Sequence, residues 1–238
     1  VQKINRAPRI RLDPLKRLQL RIDGQSGDEA ISLLNISSSG FATTRTAISE
    51  ELLTADSLHG KLVGHEESFP VQFKVARKTS DVVGFQFIDP TGKTAKWIEN
   101  FLTAELSALS MKLIPKEKLK APSKAASGDE EQLYWYSGGN QCELYYTLRG
   151  KVVERFTLCF LGNYIRGGEH IKFQFGEQKG NRAAPSPHIA PRKGFPLREV
   201  EIPSRDFVDQ SLQFLVNIVG LPEDHRASIS ALILRDLS

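Results

Sequence analysis

Apolar and polar positions alternate through residues 16–22, where Leu18, Leu20 and Ile22 share one face and Arg17, Gln19 and Arg21 the other. A period of two marks a strand with one face on a core and one in water. The pattern recurs, punctuated by glycine and polar turns, in residues 30–36, 41–46, 61–65, 69–76 and 82–88. Six short strands with no helical period among them predict an all-β, six-stranded antiparallel barrel. Beyond Pro90 the period lengthens. Trp97, Ile98, Phe101, Leu102, Ala108 and Leu109 follow helical spacing and predict one amphipathic helix over residues 94–109.

Residues 115–131 carry charges, two prolines and almost nothing to bury, which is linker composition. Strand patterns resume at residues 133–136, 142–148, 152–160, 171–175 and 197–202. Between the last two, residues 176–196 are basic and proline-rich and read as a long loop. Two closing helices follow. Ser204 is the expected N-cap of a helix over residues 205–219, and Pro222-Glu223-Asp224 starts a second. The predicted organisation is a barrel with its helix over residues 1–112, a linker over 113–131, and an α+β domain with a small antiparallel sheet and two closing helices over 132–238.

One hairpin sharpens the second half. Leu144, Tyr146 and Leu148 share a face with Cys142, whereas Phe156, Leu158 and Phe160 leave Cys159 on the opposite side of its strand. Putting both apolar rows on one core sets Leu144 beside Leu158 or Phe156, and so predicts an odd-length loop around Gly150. Cys142 and Cys159 are then free thiols on opposite faces, a bulge between them excepted.

At 238 residues, 40% hydrophobic and 25% charged, the composition is that of two soluble globular domains. No apolar run approaches the roughly 20 residues that span a bilayer, and the basic N-terminus lacks a signal-peptide core. Two cysteines fit a reducing compartment, so a cytoplasmic location without membrane insertion is expected. The net charge is only +4, yet the first 24 residues hold seven Lys or Arg against two Asp. Such an arm attracts phosphates.

The chemistry concentrates in Asn35-Ile36-Ser37-Ser38-Ser39-Gly40, between two strands. An Asx side chain, hydroxyls and a glycine let a turn present donors and acceptors to a polar ligand, though plain turns share this composition. Upstream, Pro8-Arg9-Ile10-Arg11-Leu12 precedes the first strand, with Arg9 lying 26 residues before Asn35. Downstream come Val75-Ala76-Arg77 and Val82-Val83-Gly84-Phe85-Gln86-Phe87-Ile88. In order, spacing and strand context these segments resemble the PilZ domain family over about residues 3–110.

The resemblance implies a bacterial receptor for cyclic di-GMP. Arg9 matches the second arginine of the family's pair, and guanidinium groups suit phosphate oxygens and guanine edges. Asn5 stands where the first arginine is expected, with Arg6 beside it as the candidate substitute. Asn35 and Ser37 are the implied contacts to guanine and phosphate, Ser39 stands where many members carry glycine, and Gly40 serves the turn. Arg77 is a further candidate, weighed against a plain exposed strand arginine. The expected function is a non-enzymatic adaptor that passes ligand binding to an unidentified protein partner through the second domain. The alternative is a degenerate PilZ protein acting as a constitutive interaction module. No cofactor or metal is expected, since His59, His65, His170, His188 and His225 sit singly, and nucleic acid is an unlikely partner because aromatics near the basic segments are too few for stacking.

Overall fold

The computed structural model describes residues 9–12, 18–24, 30–64, 67–89, 91–118, 131–139, 142–171, 173–178, 197–199 and 204–235. The chain divides into two units, Val1–Leu106 and Ser107–Ser238.

In the first unit the alternating segments become β1 (Ile10–Arg11), β2 (Gln19–Ile22), β3 (Ile31–Ser37), β4 (Gly40–Thr44), β5 (Leu58–Val63), β6 (Ser68–Lys78) and β7 (Val82–Phe87). The order β3-β2-β5-β6-β7-β4 closes through a β3–β4 pairing into the predicted six-stranded antiparallel barrel, and β1 adds to β3. Closure pairs each of the six barrel strands on both sides and so leaves none of them as an open sheet edge. The barrel is filled by aromatics. Phe41 stacks on Phe85 at 4.9 Å, and Phe73 meets both edge-on at 5.1 and 5.4 Å.

The helical stretch is two pieces, α1 (Lys93–Phe101) and α2 (Thr103–Leu109), where the sequence predicts one. Thr103 explains the break. Its hydroxyl donates to the carbonyls of Glu99 and Asn100 at 2.9 and 2.8 Å, a back-bond that bends a helix. Asp89 caps α1 by accepting from the Thr94 backbone N–H at 2.7 Å.

The second unit is an antiparallel meander in which each strand pairs with the next. Its strands are β8 (Lys112–Leu113), β9 (Glu131–Ser137), β10 (Glu143–Arg149), β11 (Val152–Phe160), β12 (Asn163–Gly168), β13 (Gln174–Gln178) and β14 (Leu197–Glu199). Helices α3 (Arg205–Asn217) and α4 (Glu223–Arg235) pack on one face. Ser204 accepts from the Phe207 N–H at 3.2 Å as the predicted N-cap. Phe160 stacks with Phe207 and Phe214, and α4 buries Ile229, Leu232 and Ile233. Tyr146 anchors the start of α4, its hydroxyl 2.8 Å from His225 Nδ1.

Strands β8 and β12 lie outside the sequence expectation. Residues 161–162 turn the chain between β11 and β12 with Leu161 at φ 48° and Gly162 at φ 79°. Leucine rarely adopts this left-handed conformation, so Leu-Gly carries no turn signature. Gly167 and Gly168 are strand residues of β12. A Cβ on Gly168 would overlap the Glu154 carbonyl, and one on Gly167 would press on the Phe156 ring at 3.2 Å.

The β10–β11 register meets the packing expectation with Leu144 opposite Leu158 and Tyr146 opposite Phe156. The loop length corrects it. Gly150 and Lys151 form a two-residue turn, and the odd residue is a bulge at Glu154, between the pairs Thr147–Arg155 and Leu148–Val153. Cys142 and Cys159 form no disulfide, and both are buried. Of the predicted linker, Lys116–Lys118 form a 3₁₀ turn and Glu131 opens β9, while residues 119–130 lie outside the described residues.

Glu143 sits opposite Cys159, where burial pushes its carboxyl up to about 7 from an ordinary 4.5. The unfolded chain ionises near the ordinary value while the folded one resists. Native stability is therefore lost as pH rises from 4.5 towards about 7 and levels off above. Glu143→Gln removes this dependence. In urea denaturation the variant is expected to be more stable than the parent at about pH 8 and nearly equal to it at about pH 5; an equal difference at both would show that Glu143 does not titrate in this range.

Candidate functional site

Strand parity alone would bury two of the candidate residues. Asn35 shares its odd-numbered phase with Ile31 and Leu33, and Arg77 shares its phase with Val71 and Phe73, all four companions being core residues. A bulge intervenes in each strand. The β3–β4 register slips between Leu33 and Asn35, with Leu34 extra, and the β6–β7 register slips between Val75 and Arg77, with Ala76 extra. Each extra residue reverses the phase and turns its neighbour to the outside. Ile36 accordingly is fully buried, while Asn35 is half-buried and Arg77 exposed.

Reversed in this way, the candidates fall into line. Arg11 pairs with Asn35, Asn35 with Ala42, Ala42 with Gly84, and Gly84 with Arg77, in one row across β1, β3, β4, β7 and β6. Residues paired across antiparallel strands project from the same face. The row therefore has guanidinium groups at its ends, an amide beside one of them, and a floor of alanine and glycine. Alongside runs a second row, Ser37 with Gly40, Gly40 with Gln86, and Gln86 with Lys74. Arg9, exposed just before β1, continues the β1–β3 register to the level of Ser37.

The motif residues divide by role. Ser37 is 6% exposed and its hydroxyl donates to the Gly40 carbonyl at 3.1 Å, which leaves the Ser39 hydroxyl, 3.2 Å away, to donate to it. Ser37 thus fastens the β3–β4 turn, while exposed Ser39 edges the platform. Gly40 is needed for close approach, because a Cβ there would overlap the Phe85 carbonyl of β7. Asn35 is half-buried on the outer row, and Arg77 enters no ion pair among the described residues. Asn5 and Arg6 lie outside the described residues.

A face of this kind offers exposed cations around a small-residue floor, with no carboxylate in any of the seven strands. It can take a flat group on the floor and anionic groups at the rim. Sequence reading missed Arg11, Lys74, Gly84 and Gln86 as members. Arg11 was legible only with β1 recognised as a strand; Lys74, between Phe73 and Val75, reads as an ordinary outward strand lysine. Among the described residues no group of three His, Cys, Asp or Glu is placed to hold a metal ion, and no helix is long and apolar enough to cross a membrane.

Comparison with known proteins adds a family for one half. Residues 5–104 match the family model of the PilZ domain, and the C-terminal half matches none. Among solved structures, the crystal structure of an uncharacterized Legionella protein is similar over 40% of this chain and 91% of its own, at 16% identity and a TM-score of 0.33. No curated protein matches the chain in sequence.

The two glycines of the platform make a contrasting test of this geometry. Gly40→Ala forces β4 off β7 and is expected to cost about 1–3 kcal/mol. At Gly84 a Cβ would make only ordinary contacts with Arg77, its Cβ at 3.7 Å and its carbonyl oxygen at 3.9 Å, so Gly84→Ala is expected within about 0.5 kcal/mol of the parent. Chemical denaturation of both variants checks the pair; equal costs would contradict the packing described.

Proposed function

We propose, from the match of residues 5–104 to the PilZ family model, that the protein is a receptor for cyclic di-GMP and acts as a non-enzymatic adaptor in the cytoplasm. The observation that carries this reading is the row Arg11, Asn35, Ala42, Gly84, Arg77. A guanine is placed over the small-residue floor of Ala42, itself 6% exposed, and half-buried Gly84. The Asn35 amide meets a polar edge of the base, and Arg9 and Arg11 meet the phosphates from one side, with Arg77 and Lys74 on the other. Arginine suits the rim because its planar fork both stacks on a base and grips phosphate oxygens in pairs.

Geometry also bears on Asn5. Arg9 and Arg11 are two apart on one strand edge and so share a face. They supply two cations to the platform without an arginine at position 5. Loss of one charge-assisted contact costs about 1.5–3 kcal/mol, or roughly ten- to a hundredfold or more in affinity, and Arg11 offsets it. The second reading, a degenerate domain that acts as a constitutive interaction module, draws on Asn5 alone. In the receptor reading the second unit presents the signal to a protein partner.

Isothermal titration with cyclic di-GMP tests the proposal. The parent is expected to bind, Arg9→Ala and Arg77→Ala to weaken binding by at least about tenfold without loss of thermal stability, and Gly84→Leu to abolish it by filling the floor. Parent protein that shows no binding up to about millimolar ligand leaves the degenerate reading standing.

A further inference from the structure

The second sheet has a face turned away from its closing helices. Tyr146 and Phe160 project towards α4 and α3, so the alternate positions of β10 and β11 project from the other side. On that side Glu143 stands opposite Ser137 of β9 and Cys159 of β11. Trp135 and Tyr145 stand opposite each other in the next row. Glu143, Ser137, Trp135 and Tyr145 are all half-buried.

Glu143 lacks a counter-charge. Among the described residues no hydrogen bond or ion pair reaches its carboxyl. The cations that share its face stand elsewhere. Lys112 of β8 and Arg166 of β12 each lie two strands away, and Arg155 is held by Glu131 at 2.9 Å. None of them draws the Glu143 carboxyl down, which burial alone holds above the usual range. The other titratable groups on this side are Tyr145 on its own strand, Cys159 opposite it, and Tyr164 opposite Cys159. Burial pushes Tyr145 and Cys159 up, so neither is charged near neutral pH.

A half-buried carboxylate without a cation works against folding, and the barrel unit gains nothing from it. A residue held against stability beside exposed aromatic surface points to a use in binding. We propose that this face docks a protein partner through an arginine, whose guanidinium pairs with Glu143 and lies along the Trp135–Tyr145 row. The inference names the chemistry of the partner in the adaptor reading, and rests on that reading only in taking the second unit to be the one that meets the partner. A guanidinium is flat and weakly hydrated, stacks on aromatic rings and forks onto a carboxylate. A lysine ammonium is more strongly hydrated and cannot fork. A metal ion needs further ligands, and no group of three His, Cys, Asp or Glu among the described residues supplies them.

The test titrates the full chain with N-acetyl-arginine methylamide, and in parallel with the lysine analogue and with the citrulline analogue, which has nearly the same shape and no charge. The Glu143 side-chain carboxyl and the Trp135 indole N–H are followed by NMR. Saturable shifts of both are expected with the arginine probe, weaker ones with lysine and none with citrulline. Because the Glu143 carboxyl titrates at about 7, affinity is expected to rise about tenfold from roughly pH 6 to roughly pH 8. Glu143→Gln, which folds at least as stably, is expected to lose the Trp135 shift. The proposal is overturned by an absent shift, by equal shifts from citrulline, by tighter binding of the lysine probe, by an affinity indifferent to pH, or by unchanged binding in Glu143→Gln. Cyclic di-GMP titration reads the receptor proposal separately: a parent that takes the arginine probe and not the nucleotide sinks that reading and leaves this one standing.

Discussion

Side chains on a pleated strand alternate between two faces, so a residue's phase decides whether it meets the core or the solvent. The candidate site depends on breaking that rule twice. Without the extra residues Leu34 and Ala76, Asn35 and Arg77 would point among Phe41, Phe73 and Phe85. A guanidinium in that apolar centre would cost several kcal/mol, far more than the ladder hydrogen bonds that a bulge gives up. The barrel's stability and the outward row thus have one cause. The same two bulges that keep charge out of the core set an amide and a guanidinium level with each other across four strands.

Much of this was legible in the sequence, and where it was not the reason is physical. The six barrel strands and the facing of Leu144 with Leu158 follow from apolar periodicity, because burial of large side chains outweighs local preference, and the α3 cap at Ser204 follows from its hydroxyl just before a helical pattern. Periodicity does not reveal a bulge, since one extra residue leaves the composition unchanged. The turn after β11 was hidden for another reason. Leu161 holds a conformation that its side chain disfavours, so only the pairing of β11 with β12 on either side accounts for it. Thr103 broke a helix whose apolar stripe ran through without interruption.

The site residues show a similar division. Arg9, Asn35 and Gly40 were visible through the spacing of their motifs, but spacing did not distinguish what each one does. Ser37 reads as a ligand residue and its hydroxyl also closes a hairpin, and Gly40 reads as a turn residue whose missing Cβ lets β4 lie against β7. Arg11 and Lys74 lacked any motif and emerge only from cross-strand pairing. A binding surface on a barrel wall is an arrangement of rows, and rows run perpendicular to the chain.

The bulges at Leu34 and Ala76 also bear on how such a wall changes over time. A deletion of either residue would leave every arginine, asparagine and glycine of the motifs present in the gene. It would nevertheless rotate the downstream half of its strand by one face, turning the amide or the guanidinium inward. The outward row can therefore be lost through a single deleted codon, at Leu34 or at Ala76. Relatives aligned without gaps at these two places would have Asn35 or Arg77 matched to a core aliphatic residue, and inventories of motif residues alone would count such chains as competent.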